Sequence, residues 1–366
     1  TIMAYAGLCS SDNIANNSDD YFHVRNYQTM LNFLQGTGGS CAASSATNNT
    51  PPVVVAASTT STTFPIETPF KLEATGSDSD GDPISYCWEH YNRGPSVPIN
   101  QSPSSGTPPL FVSLPPVSEQ IRWFPRLNFV VNNVNSNLEK LPTYSRNITF
   151  RVTVRDNLGG VSYDQIAYNS TDQAGPFVVN NPNTVLAVWN AGTTVTVDWD
   201  VANTQNSPVN CSDVRIRLST DGGFTYPHTL LSSTPNDGSE SFVLNPLPGE
   251  PALISQARVM VESIGNIFYD ISNADFTINN ILSTAAWSSS ASAVAYPNPS
   301  KDGVFQLPQS GAFTDWTWQV FDVAGREVSF TVSQDLRLQI VGAPKGVFLL
   351  VGHGPMGSLR ERLLIP

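Results

Sequence analysis

Charge is scarce in this chain of 366 residues: only 13% are Asp, Glu, Lys or Arg, and 18 basic residues face 30 acidic ones, for a net charge of -12. No basic patch is visible, which excludes nucleic acid as a partner, because phosphate binding depends on clustered Lys and Arg. No apolar run approaches the roughly 18 residues of a membrane-spanning helix, so no transmembrane segment is expected. The N-terminus carries neither a basic flank nor a signal-peptide core, and a signal peptide is expected upstream if there is one. Four cysteines are too few for a disulfide framework. Cys9 and Cys41 bracket one short segment and are the disulfide candidate, with free thiols as the alternative, while Cys87 and Cys211 are expected to be packed thiols.

Catalytic constellations are missing as well. The four histidines, His23, His90, His228 and His353, lie in separate segments, and none has a second His or a Glu at the spacing that puts two metal ligands on one helix face. Each reads as a surface or packing residue. Neither a G-x-S-x-G elbow, nor a Cys with a nearby His, nor a phosphate-cradling glycine loop occurs. No residue of this chain is therefore expected to be catalytic, and no cofactor is expected to be held by a catalytic site of its own.

What the chain does have is length for two or three domains and an abundance of Thr, Ser, Asn, Gly and Pro. Apolar residues come in short alternating runs, as in Thr149-Phe150-Arg151-Val152-Thr153-Val154, which is the pattern of half-buried strands. The expected fold class is mainly β: tandem Ig-like β-sandwiches plus a small C-terminal β-sandwich, with one N-terminal helix. Residues 1–42 read as a turn and that helix, with Ser18 as N-cap and Tyr27, Met30, Leu31 and Leu34 as its apolar stripe. A lone stripe has nothing to pack on, so the helix is expected to belong to a domain upstream. Residues 53–170 read as one sandwich, with runs around Val53, Phe70 to Ala74, Ile84 to Trp88 and Ile148 to Val154. Residues 175–279 read as a second, with runs Thr194 to Trp199, Val214 to Leu218 and Ala257 to Val261. The Ser/Ala-rich stretch 280–293 reads as a tether, and 294–366 as a third unit with runs near Val304, Trp316 to Val323, Leu336 to Ile340 and Val347 to Val351.

Asp78, Asp80 and Asp82 form the densest carboxylate cluster, which suits Ca²⁺, a hard cation taking several oxygens. With Asp156 they are the candidate calcium ligands, and a plain tight turn is the alternative. Asp78, Asp80, Asp82 and Glu89 fit an EF-hand spacing, but Pro83 stands where that loop needs Gly, so the EF-hand is rejected.

Four segments resemble known families. Thr1-Ile2-Met3-Ala4-Tyr5-Ala6-Gly7, continued by Cys9 and Ser18-Asp19-Asp20-Tyr21-Phe22-His23, resembles the Met-turn of reprolysin-like metzincin metalloproteases. The resemblance implies that Met3 is the hydrophobic support beneath a zinc site whose ligands lie upstream. Gly76 to Pro83 with Tyr86-Cys87-Trp88 resembles cadherin-like and PKD-like Ig sandwiches, and Val214 to Gly223 followed by Thr225-Tyr226-Pro227 resembles the fibronectin III-like module of the same proteases. Trp189 and Trp199 are candidate carbohydrate platforms, a core position being the reading favoured for Trp199.

The broadest match is at the C-terminus. Tyr296-Pro297-Asn298-Pro299-Ser300, Gly303-Val304-Phe305, Val320 to Glu327 with Asp322 and Gly325, and Pro344-Lys345-Gly346-Val347-Phe348-Leu349 resemble the type A sorting domain of the type IX secretion system. The resemblance implies a Gram-negative source, export through the periplasm to the surface or medium, and recognition of the last strands, with Arg360 and Arg362, by the outer-membrane translocon, a shuttle protein and a surface sortase. Pro297 and Pro299 are expected to fix an extended entry. The leading expectation is the non-catalytic C-terminal region of a secreted zinc metalloendopeptidase that acts on extracellular proteins. A non-enzymatic surface adhesin with a sorting domain is the alternative, and an H-E-x-x-H motif upstream would discriminate the two.

Overall fold

Side chains alternate between the two faces of a strand, and the computed structural model has a strand at each run singled out above. It describes residues 1–366 except 42, 44, 281–294, 308–315, 343, 355 and 356. They form two compact units, residues 1–283 and 284–366. The tether expected at 280–293 falls, apart from Asn280, outside the described residues.

The chain opens with a 3-10 turn, Ser10–Asp12, and helix α1, Val24–Gln35. The first sandwich has strands β1 (Val53–Ala56), β2 (Thr63–Pro65), β3 (Phe70–Ser77), β4 (Ser85–His90), β5 (Ile121–Phe124), β6 (Arg146–Arg155) and β7 (Val161–Thr171), with a short helix α2 (Leu127–Val131) after β5. Its sheets run β1-β3-β5 and β2-β7-β6-β4. Between them lie Phe64, Phe70, Phe111, Phe124 and Phe150, with Phe70 and Phe124 stacked at 5.0 Å between ring centroids. Full burial of each such ring contributes about 2 kcal/mol.

The second sandwich has β8 (Val178–Asn181), β9 (Val188–Asn190), β10 (Thr194–Asp200), β11 (Asp213–Ser219), β12 (His228–Pro235), β13 (Ser239–Val243), β14 (Leu253–Ser263), β15 (Tyr269–Ile271) and β16 (Phe276–Asn279). Its sheets run β13-β10-β8 and β12-β11-β14-β16-β9, with β15 also on β14. Strand β10 buries alternate residues as the sequence predicts. In β14, by contrast, Ala257 to Ser263 are all buried, because both faces are covered. Val259 and Val261 enter the main core, while Met260 joins Tyr226, Tyr269, Ile271 and Val131 in a second cluster.

Val131 belongs to the first sandwich, and this joint cluster marks a seam between the two modules. Phe70 and Phe268 form a β-bridge across it. The amide of Lys71 donates to the carbonyl of Ile267 at 3.0 Å and that of Tyr269 to the carbonyl of Pro69 at 2.9 Å. The Lys71 ammonium sits 2.5 Å from Glu262. The tandem modules are thus packed into one unit.

In the C-terminal unit, β17 (Val304–Gln306), β19 (Phe330–Val332) and β20 (Arg337–Ile340) form a sheet in the order β17-β20-β19. A second sheet runs β18 (Thr317–Asp322), β21 (Gly346–Gly354), β22 (Gly357–Ile365). Their core holds Phe305, Val320, Leu338, Ile340, Leu350, Leu363 and Ile365.

Three expectations about the N-terminal segment are corrected. His23, not Ser18, is the N-cap of α1. The helix also has a partner within the chain, since it lies on the first sandwich: Arg25 donates to the carbonyl of Tyr91 at 2.8 Å, and Arg151 to Gln28 at 2.8 Å. Only Val24 of the helix is fully buried, and Leu34 remains 59% exposed, so polar contacts that an apolar stripe does not display hold it there. Cys9 and Cys41 are both free, exposed thiols, and the expected bridge is not formed. Cys87 and Cys211 are buried thiols, as expected.

Candidate functional site

Three places carry the expected site residues, beginning at the N-terminus. Met3 is 58% exposed there, beside exposed Ile2, Tyr5 and Leu8. His90 is buried between Phe111 and Phe150, and burial pushes its imidazole down to about 3. His228 pairs with Glu250 at 2.7 Å, and the side chain of His353 lies outside the described residues. Among the described residues, the one cluster of His, Cys, Asp or Glu that meets metal geometry is Asp78, Asp80 and Asp82.

That cluster sits in the turn after β3. Carboxylate oxygens of the three residues lie within 4.8 Å of one another. Asp78 Oδ1 accepts the amides of Asp80 at 2.8 Å and Asp82 at 3.4 Å, and Thr50 donates its amide to Asp80 at 2.7 Å. Gly81 takes φ +85°, which lets the loop fold back on itself. Burial, then the charges of Asp78, Asp80 and Asp156, push the Asp82 carboxyl up. Asp78 Oδ2 is buried with no hydrogen-bond partner. Hard oxygen donors, mutual repulsion and an orphaned oxygen fit a hard divalent cation. Asp156 stands apart: its carboxylate accepts from Asn49 at 2.7 Å and from the amides of Leu158 and Gly160 at 2.8 and 2.9 Å. Burial works against its ionisation, but those bonds outweigh it and hold the group below the usual carboxylate range.

The aromatic candidates are enclosed. Trp199 is 3% exposed and donates Nε1–H to Asn236 at 2.9 Å, and Trp189 is 7% exposed and packs on Phe276. Neither offers a face to a sugar. Asp221, whose role the sequence does not announce, organises the turn between β11 and β12. It accepts from the amides of Phe224 and Thr225 at 3.0 Å each and from the Thr225 hydroxyl at 2.7 Å.

In the C-terminal unit the motif residues converge on two turns and the last strand. Gly325 takes φ +76° in the turn after β18, where Asp322 accepts the amides of Ala324 and Arg326 at 2.8 and 3.0 Å and pairs with the Arg326 guanidinium at 2.8 Å. Gly303, at φ +73°, precedes β17, and Gly346 opens β21. Residues 297–299 form bends in place of the extended entry expected for Pro297 and Pro299. The bends lay Asn298 against the outer edge of β22. Its Nδ2 donates to the Arg362 carbonyl at 2.6 Å, and its Oδ1 accepts the Leu364 amide at 3.0 Å. The Ser300 amide adds a bond to the Leu364 carbonyl at 2.8 Å. Asn298 thereby fills backbone positions that a further strand would take. Arg360 and Arg362 are exposed, while Leu363 and Ile365 are buried.

No family model matches the chain, and no curated protein does. Among solved structures, cadherin domains 3–6 of protocadherin gamma B2 align with 87% of this chain and 78% of theirs, at 10% identity and a TM-score of 0.19. The four N-terminal Ig domains of Dscam1 isoform 4.44 align over 84% and 74%, at 10% identity and a TM-score of 0.18. SGBP-B of the Bacteroides ovatus mixed-linkage glucan utilization locus, in complex with a heptasaccharide, aligns over 87% and 71%, at 8% identity and a TM-score of 0.18. Likenesses this loose carry no argument about this chain.

Proposed function

We propose that this chain is the non-catalytic C-terminal region of a secreted zinc metalloendopeptidase of a Gram-negative bacterium. Its sandwiches are accessory modules, and residues 294–366 are the cargo signal read by the type IX machinery of translocon, shuttle and sortase. The observation that carries this reading is the last strand. Strand β22 completes a separate core through Leu363 and Ile365 and presents Arg360 and Arg362 to solvent at a sheet edge. With the backbone edge already occupied by Asn298, the outward Arg360 and Arg362 side chains are a charged surface that another chain can recognise by electrostatic complementarity. Exposed Ile2, Met3, Tyr5 and Leu8 support the N-terminal half of the reading, since apolar side chains left open mark a surface another part of a protein would cover.

Residues 284–366, fused behind an unrelated folded passenger with a signal peptide, should deliver it to the surface or medium of a host with the type IX system. Arg360→Glu with Arg362→Glu leaves the core untouched and should hold the passenger in the periplasm. Export of the unsubstituted fusion at background level would end the sorting reading. The same reading gives the acidic turn Ca²⁺ as its ligand, held by Asp78, Asp80 and Asp82. Millimolar Ca²⁺ should raise the Tm of the first unit and a chelator should reverse the gain, whereas superimposable melting curves would leave the cluster as a turn.

A further inference from the structure

We propose that helix α1 is held on the first sandwich by an acid-releasable latch built from Glu89 and His23. Glu89 lies on β4 and is fully buried. Its Oε2 accepts the amide of Val24, the first residue of α1, at 3.0 Å, and its Oε1 accepts the Ser113 hydroxyl at 2.5 Å. Ser113 in turn meets the Tyr21 hydroxyl at 2.8 Å. A carboxylate 65 residues away in sequence therefore supplies an acceptor for the helix's first orphan amide, where negative charge is favoured by the helix dipole.

His23 supplies the next acceptor. Its Nδ1 accepts the amide of Arg25 at 3.2 Å, and its Nε2 lies 3.7 Å from Glu89 Oε1. The two contacts fix one tautomer, with the proton on Nε2 facing the carboxylate and a lone pair on Nδ1 facing the helix. A proton added at Nδ1 takes that lone pair and sets an N–H against the N–H of Arg25, so the cap exists in the neutral ring alone. The charged groups facing His23 are Glu89 from β4, which favours the cation, and Arg25 with the amine of Thr1, which oppose it. The Thr1 amine is itself 3.7 Å from Asp19. Arg126, which pairs with Glu139, borders the same cavity. Burial is the largest influence and favours the neutral ring, so the folded imidazole titrates below its ordinary 6.5. The sign follows: a group whose folded pKa is depressed and whose neutral form is the bound one stabilises docking fully above 6.5 and loses that contribution as pH falls below it.

The latch does not rest on the protease reading and is tested on the whole chain by hydrogen exchange, corrected for the intrinsic pH dependence of amide exchange. Opening of residues 24–28 should rise several-fold between pH 7.5 and pH 5, as the neutral ring that caps the helix is lost, while β6 stays protected. His23→Asn keeps a capping oxygen that does not titrate, so it should flatten the pH dependence. Glu89→Gln should loosen the helix at both pH values. Opening that is independent of pH in the unsubstituted chain, or an unaltered pH dependence in His23→Asn, would overturn the proposal. Should a variant misfold, the NMR titration of the His23 ring in the unsubstituted chain still decides: a midpoint below 6.5 supports the latch, and one at or above 6.5 overturns it.

Discussion

Asp270 is a buried carboxyl on β15, and its Oδ2 accepts the amide of Val179 at 2.7 Å. Burial pushes its pKa up to about 7, against the hydrogen bonds from Val179 and Ile271, which lower it. In the unfolded chain the same group titrates near 3.8. The native state therefore binds the extra proton between those values, and stability falls as pH rises from about 4 to about 7. At about 1.36 kcal/mol per unit, the full effect is on the order of 4 kcal/mol. Asp270→Asn keeps an acceptor for Val179 and carries no charge. It should raise Tm at pH 8 and leave it nearly unchanged at about pH 3.5, below the unfolded value, and an equal shift at both pH values would show that ionisation of Asp270 costs nothing. Spacing alone, without a fold, brings out the triad Asp78, Asp80, Asp82. It does not separate Asp156, whose lone pairs are already committed to Asn49, Leu158 and Gly160. Glu89 shows the opposite failure: in sequence its spacing suggests only the last ligand of a rejected EF-hand loop, and its work depends on a helix brought in from 65 residues away.

Strands with one open face, such as β10 and β11, read directly from their alternation, because water on one side and core on the other impose a period of two. Strand β14 reads less well, since the seam covers its second face and removes the contrast. The start of α1 is hidden from the sequence for a related reason: its caps come from an imidazole and a distant carboxylate, not from the Ser or Asp that local patterns favour. At the C-terminus the motif around Asn298 is legible as a motif, while its action on the edge of β22 is not. Asn298→Ala removes two hydrogen bonds there, worth about 1–2 kcal/mol together, and leaves the Ser300 contact in place. Exchange of the Leu364 amide should quicken by about ten-fold, measured by NMR on the whole chain. An unchanged rate would mean that Asn298 does not close this edge.

At the scale of the molecule, the sequence suggests beads on a string, yet the two sandwiches share one hydrophobic core. Phe268 is buried beside Phe177, their centroids 5.1 Å apart, and bridges to Phe70 of the other module. Breaking that seam while both sandwiches stay folded would expose the Phe70–Phe268 contact and part the Lys71–Glu262 pair, so neither module has a low-cost way to melt alone. Residues 284–366 have a core of their own and are not bound by that constraint. Calorimetry of the whole chain should therefore resolve two transitions, one for residues 1–283 and one for the C-terminal unit. Phe268→Ala should cost about 3–5 kcal/mol and lower the first transition as a single peak by about 5–10 °C, with the second unmoved. Three transitions, or a Phe268→Ala variant in which the second sandwich melts early while the first keeps its Tm, would mean that the seam is a contact between independent modules and transmits no stability across it.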